Sequence, residues 1–492
     1  MGKSLSRALV GAAVYVYGFL TVVSYGLIAF AKGTYLKRPT EIEKRDLQLG
    51  ELCIHRNGKF FADSLARARL WDLSKAFEGL SHQVLTLQSG FKFHFVSNDI
   101  PNTPEAIKSD KPLVILIHGF PDSWAIWRHI IRDPGLQEVV SLVAIDLPGY
   151  GGTESLEEYN ATNVLEKLTE LIVTLRTQYG VDSGNESNKK RTIIVAHDWG
   201  CVLSMRLAAE APSLAHRFIL SNGPSMKLVE SNIRRLLFSA NKMLGNAWRS
   251  PLHARVPLMQ ALRTLIPLAR QLVLSGYIFA MQLPTPIVCY FLSGGHQSFL
   301  KKCHLASFNK DEYTPLDIAN TMASTMGPSA AESDTKTSSG DTYPASVSER
   351  AFAHVMHMAG YYRDRAATAR WVKSAETVAS LHSIASGKRL ASTGGGLFDE
   401  GPPGTLKAST TIFWGKDDIA LDQRICLDGM GDYLVHGSHI MLLPRTGHWT
   451  PVERESGTAL INAAEWAAQG EEGDLGTVIT ESYPGVQVTF SR

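Results

Sequence analysis

One pentapeptide carries the strongest chemical signal in this 492-residue chain: Ala196-His197-Asp198-Trp199-Gly200. It follows an apolar run of strand character, Thr192–Val195, and precedes a helical stretch, Cys201–Ala211. A sharp turn between a strand and a helix, with small residues on both sides, displays the side chain at its apex as a nucleophile. Here the apex is a carboxylate instead of the usual serine. Asp198 can therefore attack an electrophilic carbon and form an alkyl ester that water must cleave.

Such a mechanism needs a base that activates water and an acid that orients the base. Two carboxylates, Asp417 and Asp418, follow the apolar run Thr411–Phe413, and His448 follows the run Ile440–Leu443. The order nucleophile, acid, histidine is that of the strand–turn–helix hydrolases. Because the carboxyl ends of parallel strands meet at one edge of a sheet, we expect these side chains to converge.

Donors for an oxyanion are predicted next to a third buried strand, Leu113–Ile117, which runs into His118-Gly119-Phe120-Pro121. The backbone N–H groups of Phe120 and Trp199 can converge on one oxygen. That oxygen belongs to the tetrahedral centre formed when water attacks the Asp198 ester. Pro121 lacks an N–H group and fixes the loop, and its peptide bond can be cis.

Taken together and in this order, the motifs resemble those of the α/β-hydrolase superfamily and, within it, of the membrane-anchored epoxide hydrolases. The resemblance extends over residues 82–468, and any single motif in it is weak. The matching segments are His118–Pro121 with Trp124, Asp146–Gly152, Ala196–Gly200, Tyr277 with Gln282–Pro284, Tyr361–Asp364, Asp418, and Gly447–Trp449.

The resemblance implies roles for residues that spacing alone does not assign. It favours Asp418 over Asp417 as the acid, and it places two phenol donors for the epoxide oxygen at Tyr277 and Tyr362, with Tyr361 as the alternative to the second. A phenol suits this task because it donates at neutral pH. The implied reactants are an apolar epoxide and water, with no cofactor and no metal.

Other interpretations of the same residues stay open. Asp198 can serve as a helix N-cap, and Tyr277 can be a core tyrosine. The aspartate elbow is shared with haloalkane dehalogenases, although the oxyanion loop carries Phe120 and not the asparagine frequent there. A non-catalytic binding protein on the same fold is the third interpretation, since a fold does not guarantee activity.

The pattern of elements predicts an α/β class fold, a doubly wound and mostly parallel sheet with an inserted helical lid. Alternating residues in Gln83–Leu87 and Phe91–Phe95 indicate an antiparallel edge hairpin, whereas the later apolar runs are typical of buried parallel strands. The predicted divisions are an anchor (1–38), a connector (39–81), two core parts (82–225 and 387–470), a helical lid (226–386) with a flexible insert at about 324–348, and a tail (471–492) without an indicated role.

The amino-terminal stretch Ala8–Ala31 has no charged residue, and its roughly 24 residues are enough to cross a bilayer. We expect a single-pass anchor in the endoplasmic reticulum membrane. The alternative is a cleaved secretory signal, because Ala29-Phe30-Ala31 imitates a cleavage site. The net charge is only +2, with no basic cluster that indicates nucleic acid, and the five cysteines show no metal-ligand spacing.

Overall fold

The computed structural model describes residues 2–31, 53–54, 60–61, 65–182, 190–292, 315–349, 354–386 and 401–491. Within these ranges one large sheet forms the centre of the molecule, and a short antiparallel pair, β1 (Cys53–Ile54) and β2 (Phe60–Phe61), stands apart from it. The strands of the large sheet are β3 (Ser81–Thr86), β4 (Lys92–Ser97), β5 (Leu113–Ile117), β6 (Ser141–Ile145), β7 (Thr192–His197), β8 (Arg217–Ser221), β9 (Thr410–Gly415), β10 (His439–Leu443) and β11 (Gln487–Ser491).

The order across this sheet is β11-β10-β9-β8-β7-β5-β6-β4-β3. From β10 to β6, neighbouring strands of the sheet pair in parallel. At the two edges the pairs β11–β10, β6–β4 and β4–β3 are antiparallel. Every residue of β5, β6, β7, β8, β9 and β10 is buried, as expected for strands that helices cover on both faces. The predicted doubly wound sheet with an edge hairpin is confirmed.

Helices cover the sheet and form the inserted segment. Those of the chain before the insertion are α1 (Gly2–Ala31), α2 (Leu65–Trp71), α3 (Pro104–Lys108), α4 (Pro134–Val139), α5 (Ala161–Gln178) and α6 (Trp199–Glu210). Those of the insertion are α7 (Met226–Arg249), α8 (Arg255–Leu274), α9 (Gly276–Ala280), α10 (Thr285–Leu292), α11 (Pro315–Met326), α12 (Ala330–Ser333), α13 (Ala345–Glu349), α14 (His354–Arg363) and α15 (Ala375–Ser386). The last three are α16 (Gln423–Leu427), α17 (Arg454–Ala468) and α18 (Leu475–Ser482).

The segment 324–348, for which the sequence predicts a flexible insert, packs against α2 and the loop after β5. The Trp71 indole donates to the Ala323 carbonyl at 2.8 Å, and the Tyr343 hydroxyl donates to the Trp71 carbonyl at 2.9 Å. The hydroxyls of Ser123 and Ser324 lie 2.7 Å apart. These contacts make the segment part of the core. About half of the predicted connector (39–81), and residues 387–400 of the predicted second core part, lie outside the described residues.

The helix α1 contains a span, Leu9–Ile28, that is long and apolar enough to cross a membrane. Only 11% of this apolar stretch is buried in the protein. It does not stand apart from the rest of the chain. The Tyr17 hydroxyl donates to the Leu272 carbonyl at 2.9 Å, and its ring meets Phe279 edge-on. Gly18 allows this approach, because a Cβ there would come within 2.3 Å of the Phe279 carbonyl oxygen. The candidate span therefore packs on α9 of the inserted segment.

The carboxyl-terminal segment, to which the sequence assigned no role, completes the sheet. Its strand β11 pairs with β10, and α18 packs on α17. Just before them, Glu471 accepts from the buried Arg217 guanidinium, with Nε to Oε1 at 2.8 Å. Arg217 also stacks over the Trp466 ring and donates to the Gly437 carbonyl. Ion pairs of Glu471 with Arg217 and with Arg191 thus tie this segment to β8 and to the residue before β7.

We predict that Glu471→Ala lowers the free energy of unfolding by about 3 kcal/mol, since it leaves the Arg217 guanidinium buried without its carboxylate. Denaturant unfolding measures the change. The control is Glu472→Ala, which removes an exposed neighbouring carboxylate. Equal stability of the two variants would contradict this role for Glu471.

Candidate active site

Asp198 lies at the bend between β7 and α6 with φ 51° and ψ −116°, a backbone conformation that L side chains rarely adopt. Neighbouring glycines make room for the bend. A Cβ on Gly119 would come within 2.4 Å of the Asp198 side chain, and a Cβ on Gly200 within 2.3 Å of the Ile117 carbonyl oxygen. The strain holds the carboxylate out of the helix, and the Asp198 side chain makes no N-cap hydrogen bond. The N-cap interpretation therefore has no support in the geometry.

The predicted base and acid converge on this carboxylate. His448 Nε2 lies 3.5 Å from Asp198 Oδ2, and His448 Nδ1 lies 2.8 Å from Asp418 Oδ2. Asp418 is held by three further donors: the Asn222 side-chain amide at 2.6 Å and the backbone N–H groups of Ala420 and Leu421. Its orientation is thus fixed on both oxygens. Asp417, the alternative acid, is exposed and does not reach His448.

The oxyanion loop reaches the other oxygen of the nucleophile. The Phe120 N–H donates to Asp198 Oδ1 at 2.7 Å. Of the two predicted donors, this is the one that the structure places on the carboxylate; the Trp199 N–H makes no hydrogen bond to it. The Phe120–Pro121 peptide bond is cis.

The buried His118 fixes the direction of the Phe120 N–H. His118 Nε2 accepts from the Leu147 N–H at 2.9 Å, so the proton of this neutral ring must be on Nδ1. That Nδ1–H donates to the Gly119 carbonyl at 2.8 Å. The carbonyl and the Phe120 N–H belong to the same planar peptide group and point in opposite directions. Holding the carbonyl with His118 therefore aims the N–H at Asp198.

The two predicted phenols lie together beside the loop. Tyr277 comes from α9 and Tyr362 from α14, and their ring centroids are 5.9 Å apart. The Tyr362 ring also meets Phe120 at 5.5 Å and Trp199 at 4.9 Å, both edge-on. In the same cluster Val22 of α1 packs from outside. Both tyrosines thus belong to one aromatic wall next to the nucleophile.

The alternative phenol, Tyr361, points elsewhere. Its side chain is fully buried and its hydroxyl donates to the Pro148 carbonyl at 2.9 Å.

Arg363 joins the two tyrosine-bearing helices. Its Nε and Nη2 donate to the carbonyls of Met281 and Leu283 at 2.6 and 2.5 Å. Arg363 therefore sets the spacing between α9 and α14, and with it the spacing of the phenols.

Electrostatics keep the Asp198 carboxylate charged inside the protein. Burial alone would raise the pKa of Asp198, but the hydrogen bond and charge of His448 outweigh it, and the pKa is lowered. Burial would likewise lower the pKa of His448, but the Asp418 and Asp198 carboxylates raise it. The resting site is therefore a carboxylate–imidazolium pair. Burial lowers the pKa of the neighbouring His197 to about 3, so its ring stays neutral.

The phenols remain protonated for a similar reason. Burial and the negative charge of Asp198 raise the pKa of Tyr277, and burial together with Tyr277 raises that of Tyr362. Both hydroxyls therefore stay available as donors at neutral pH. This is the protonation state that stabilisation of a developing alkoxide requires.

Sequence reasoning did not identify two polar residues of the site. Asn222, at φ 49°, joins Asp418 to the backbone of β9, because its Oδ1 accepts from the Gly415 N–H at 3.1 Å. Asp122 is buried next to the oxyanion loop and accepts from the Trp449 indole at 3.0 Å. Burial raises its pKa to about 7. The sequence signal that could have identified Asp122 is its position directly after His118–Pro121.

A family model described as the alpha/beta hydrolase fold matches residues 112–268, the part that contains the oxyanion loop, the elbow and the first lid helices. The chain has the α/β-hydrolase fold. The observed sheet, the elbow and the inserted helices are in the order that the motifs predict.

The curated relatives confirm the resemblance to epoxide hydrolases. Epoxide hydrolase 3 of Mus musculus is 29% identical over 145 residues, which are 29% of this chain and 34% of that protein. Bifunctional epoxide hydrolase 2 of Rattus norvegicus is 30% identical over 151 residues, 30% of this chain and 23% of that one. The matches thus span about a third or less of these relatives. The crystal structure of the Bacillus megaterium epoxide hydrolase in complex with an inhibitor is also similar. The match covers 79% of this chain and 99% of that chain, at 19% identity and a TM-score of 0.46.

We predict that Asp198→Asn lowers the pKa of His448 by roughly one unit or more, because it removes one of the two carboxylates that stabilise the imidazolium. In the native protein the imidazolium persists above the ordinary pKa of 6.5 and is lost only as the pH rises through the raised value. Titration of the histidine ring resonances by NMR measures the change. His439, which lies near Arg217, should titrate as before, and an unchanged His448 would contradict the coupling.

Proposed function

We propose that this protein is an epoxide hydrolase that converts lipophilic epoxides into vicinal diols through a covalent ester on Asp198. One observation carries the proposal. The Asp198 carboxylate is bound by the Phe120 N–H on one oxygen and faces His448 on the other, next to a wall that contains two phenols. A nucleophile, a base and proton donors for the leaving oxygen therefore meet at one place.

In the first step Asp198 Oδ2 forms a bond to one ring carbon, and the bond from that carbon to the epoxide oxygen breaks. Tyr277 and Tyr362 hydrogen-bond to this oxygen, and one phenol supplies the proton that makes it a hydroxyl. Oδ2 is the attacking atom, since Oδ1 already accepts from the Phe120 N–H. The protein uses donors in fixed positions here, which stabilise the developing alkoxide without reorganisation.

In the second step water attacks the carbonyl carbon of the Asp198 ester while His448 Nε2 takes a proton. The oxygen that becomes negative is Oδ1, which already lies 2.7 Å from the Phe120 nitrogen. When the tetrahedral centre collapses, the bond from the carbonyl carbon to Oδ2 breaks. Oδ2 takes the remaining proton of the added water and leaves as the second hydroxyl of the diol, and the carboxylate returns. Asp418 keeps Nε2 directed at this carbon through its bond to Nδ1.

The ester also changes the basicity of His448 in the required direction. Alkylation removes the negative charge of Asp198, which is one of the two charges that raise the pKa of His448. The imidazolium therefore becomes easier to deprotonate once the ester exists, and the proton that it loses replaces the one that the phenol gave up. A group that is a stable cation at rest thereby becomes a base for the second step.

Dehalogenation, the other reaction of an aspartate elbow, has less support. Release of a halide requires N–H donors directed at the anion, whereas the lid presents two hydroxyls whose pKa values are raised. These phenols can protonate an alkoxide, and a halide needs no proton. The site is therefore better matched to an epoxide.

The location proposed for the enzyme is the endoplasmic reticulum membrane, with α1 as its anchor. The apolar span of α1 supports the anchor, and Val22 of that helix packs against the cluster that contains Tyr277. Substrates dissolved in the membrane would then be held near the site. Epoxides of apolar compounds fit both the aromatic wall and this location.

We predict that His448→Gln accumulates the ester, because alkylation needs only Asp198 and the phenols, whereas hydrolysis needs the base. Incubation with styrene oxide followed by intact-mass analysis should show one adduct with the full mass of the epoxide. The double variant Asp198→Asn/His448→Gln is the control and should show none. Absence of the adduct from folded His448→Gln protein would refute the two-step route.

We further predict that Tyr362→Phe slows the alkylation step by about 10²-fold or more, since the leaving oxygen loses a proton donor. Stopped-flow measurement of a single turnover separates this step from ester hydrolysis. Tyr361→Phe is the matched control, because it deletes the hydroxyl of the adjacent residue, which donates to the Pro148 carbonyl. Equal alkylation rates in the two variants would exclude Tyr362 as a donor.

A further inference from the structure

The first two lid helices, α7 and α8, form an antiparallel pair whose far end projects from the molecule. One face of the pair packs on the core through Leu236, Leu268 and α16. At the other end, the turn between the helices exposes 87% of Trp248 and 96% of Leu252. Single exposed apolar side chains are common on protein surfaces, whereas a contiguous apolar patch marks an interaction site.

The exposed apolar residues follow the helical period. On α7 the side chains of Leu237, Leu244 and Trp248 are spaced at i, i+7 and i+11 and share one face. On α8 the stripe continues with exposed side chains at spacings of three, four and seven residues: Met259, Leu262, Ile266 and Val273. Together with Leu252 at the turn, these residues form an apolar face on the outside of the lid.

Basic residues recur on both helices at a spacing of seven, and those of α7 lie about 140° around the helix from Leu237, Leu244 and Trp248. On α7 they are Arg235, Lys242 and Arg249, and on α8 they are Arg263 and Arg270. Between Met226 and Leu274 the chain has eight lysines and arginines against one acidic residue, although the net charge of the whole chain is only +2. Lys242, Arg249 and Arg263 form no ion pair with any residue in the described ranges. The pair of helices is thus strongly cationic within a chain that is otherwise net negative.

The lid pair also lies next to the candidate membrane span. α1 contacts the end of α8 and α9 with its middle residues, through Tyr17 on Leu272 and through Thr21 beside Gly276. The rest of α1 exposes large apolar side chains, among them Val16 and Phe19. A membrane that covers those side chains must also come close to the end of α8.

We propose that the outer face of α7 and α8 docks on the surface of an anionic lipid bilayer, as a second membrane contact beside α1. The apolar face enters the boundary between headgroups and acyl chains, with Trp248 and Leu252 deepest. Arginines and lysines of the two helices bind lipid phosphates, because an anionic surface attracts basic side chains. Tryptophan prefers this boundary because its ring is apolar and its N–H is polar.

A second copy of the chain fits this face less well. Two identical faces would bring their positive flanks together, and like charges at close range oppose association. An anionic lipid surface instead neutralises the same charges. The inference does not depend on the reaction, because it rests on exposure, period and charge of the lid pair.

The test uses the full chain reconstituted in vesicles whose lipids are brominated on the acyl chains, with and without phosphatidylserine. Of the nine tryptophans, all of which lie in described segments, Trp248 is the exposed one. Bromine in the acyl layer should therefore quench mainly its fluorescence. We expect Trp248→Phe to remove most of the lipid-dependent quenching, while Trp466→Phe, a substitution of a buried tryptophan, removes none.

A charge-reversal variant tests whether docking requires the basic residues. Lys242→Glu/Arg249→Glu should reduce the quenching of Trp248 severalfold in vesicles that contain phosphatidylserine, whereas Lys75→Glu/Lys108→Glu, with the same change in net charge, should not. Quenching of Trp248 by aqueous iodide and not by brominated lipid would overturn the proposal. Protection from both quenchers, with cross-links between copies of the chain, would also overturn it and would assign the face to a homo-oligomer.

Discussion

The hydrogen bond from the Phe120 N–H to Asp198, at 2.7 Å, is the contact on which the rest of the site depends. It requires the Asp198 backbone at φ 51°, no side chain on Gly119, and a carbonyl held by His118. A buried carboxylate is costly without partners, and here the N–H and the imidazolium of His448 provide them. The same donor that stabilises the resting charge also lies where the proposed oxyanion would form.

The lid does more than cover this carboxylate. Tyr277 is carried by the short helix α9, which packs against α1 on one side and is tied to α14 by Arg363 on the other. The position of one phenol therefore depends on the helix that we propose as an anchor. This arrangement links the membrane, the lid and the proposed proton donors in one continuous packing unit. It also explains why α1 has glycine at its closest contact, where a side chain would push α9 away.

Sequence patterns predicted the parts of the molecule that have a regular hydrophobic pattern or a distinctive motif. The buried strands stand out because parallel strands are apolar along their whole length. The order of the motifs pointed to Asp198, His448 and one of Asp417 and Asp418, and the resemblance favoured Asp418. The patterns did not reveal partners that are distant in sequence and lack a period, such as Asn222, Asp122 and Arg363. Nor did they show that segment 324–348 packs on Trp71 or that Glu471 binds Arg217. Composition indicated flexibility in segment 324–348 and no role for the tail, but single long-range contacts hold both in place.

The most direct test of the account is a single turnover with enzyme in excess over an epoxide, in water enriched in oxygen-18. If Asp198 bonds to carbon, the oxygen added to the diol comes from the carboxylate. The first diol should then be unlabelled, and the peptide that contains Asp198 should gain the label. A labelled diol from the first turnover, with no label in that peptide, would show direct attack by water and contradict the covalent route.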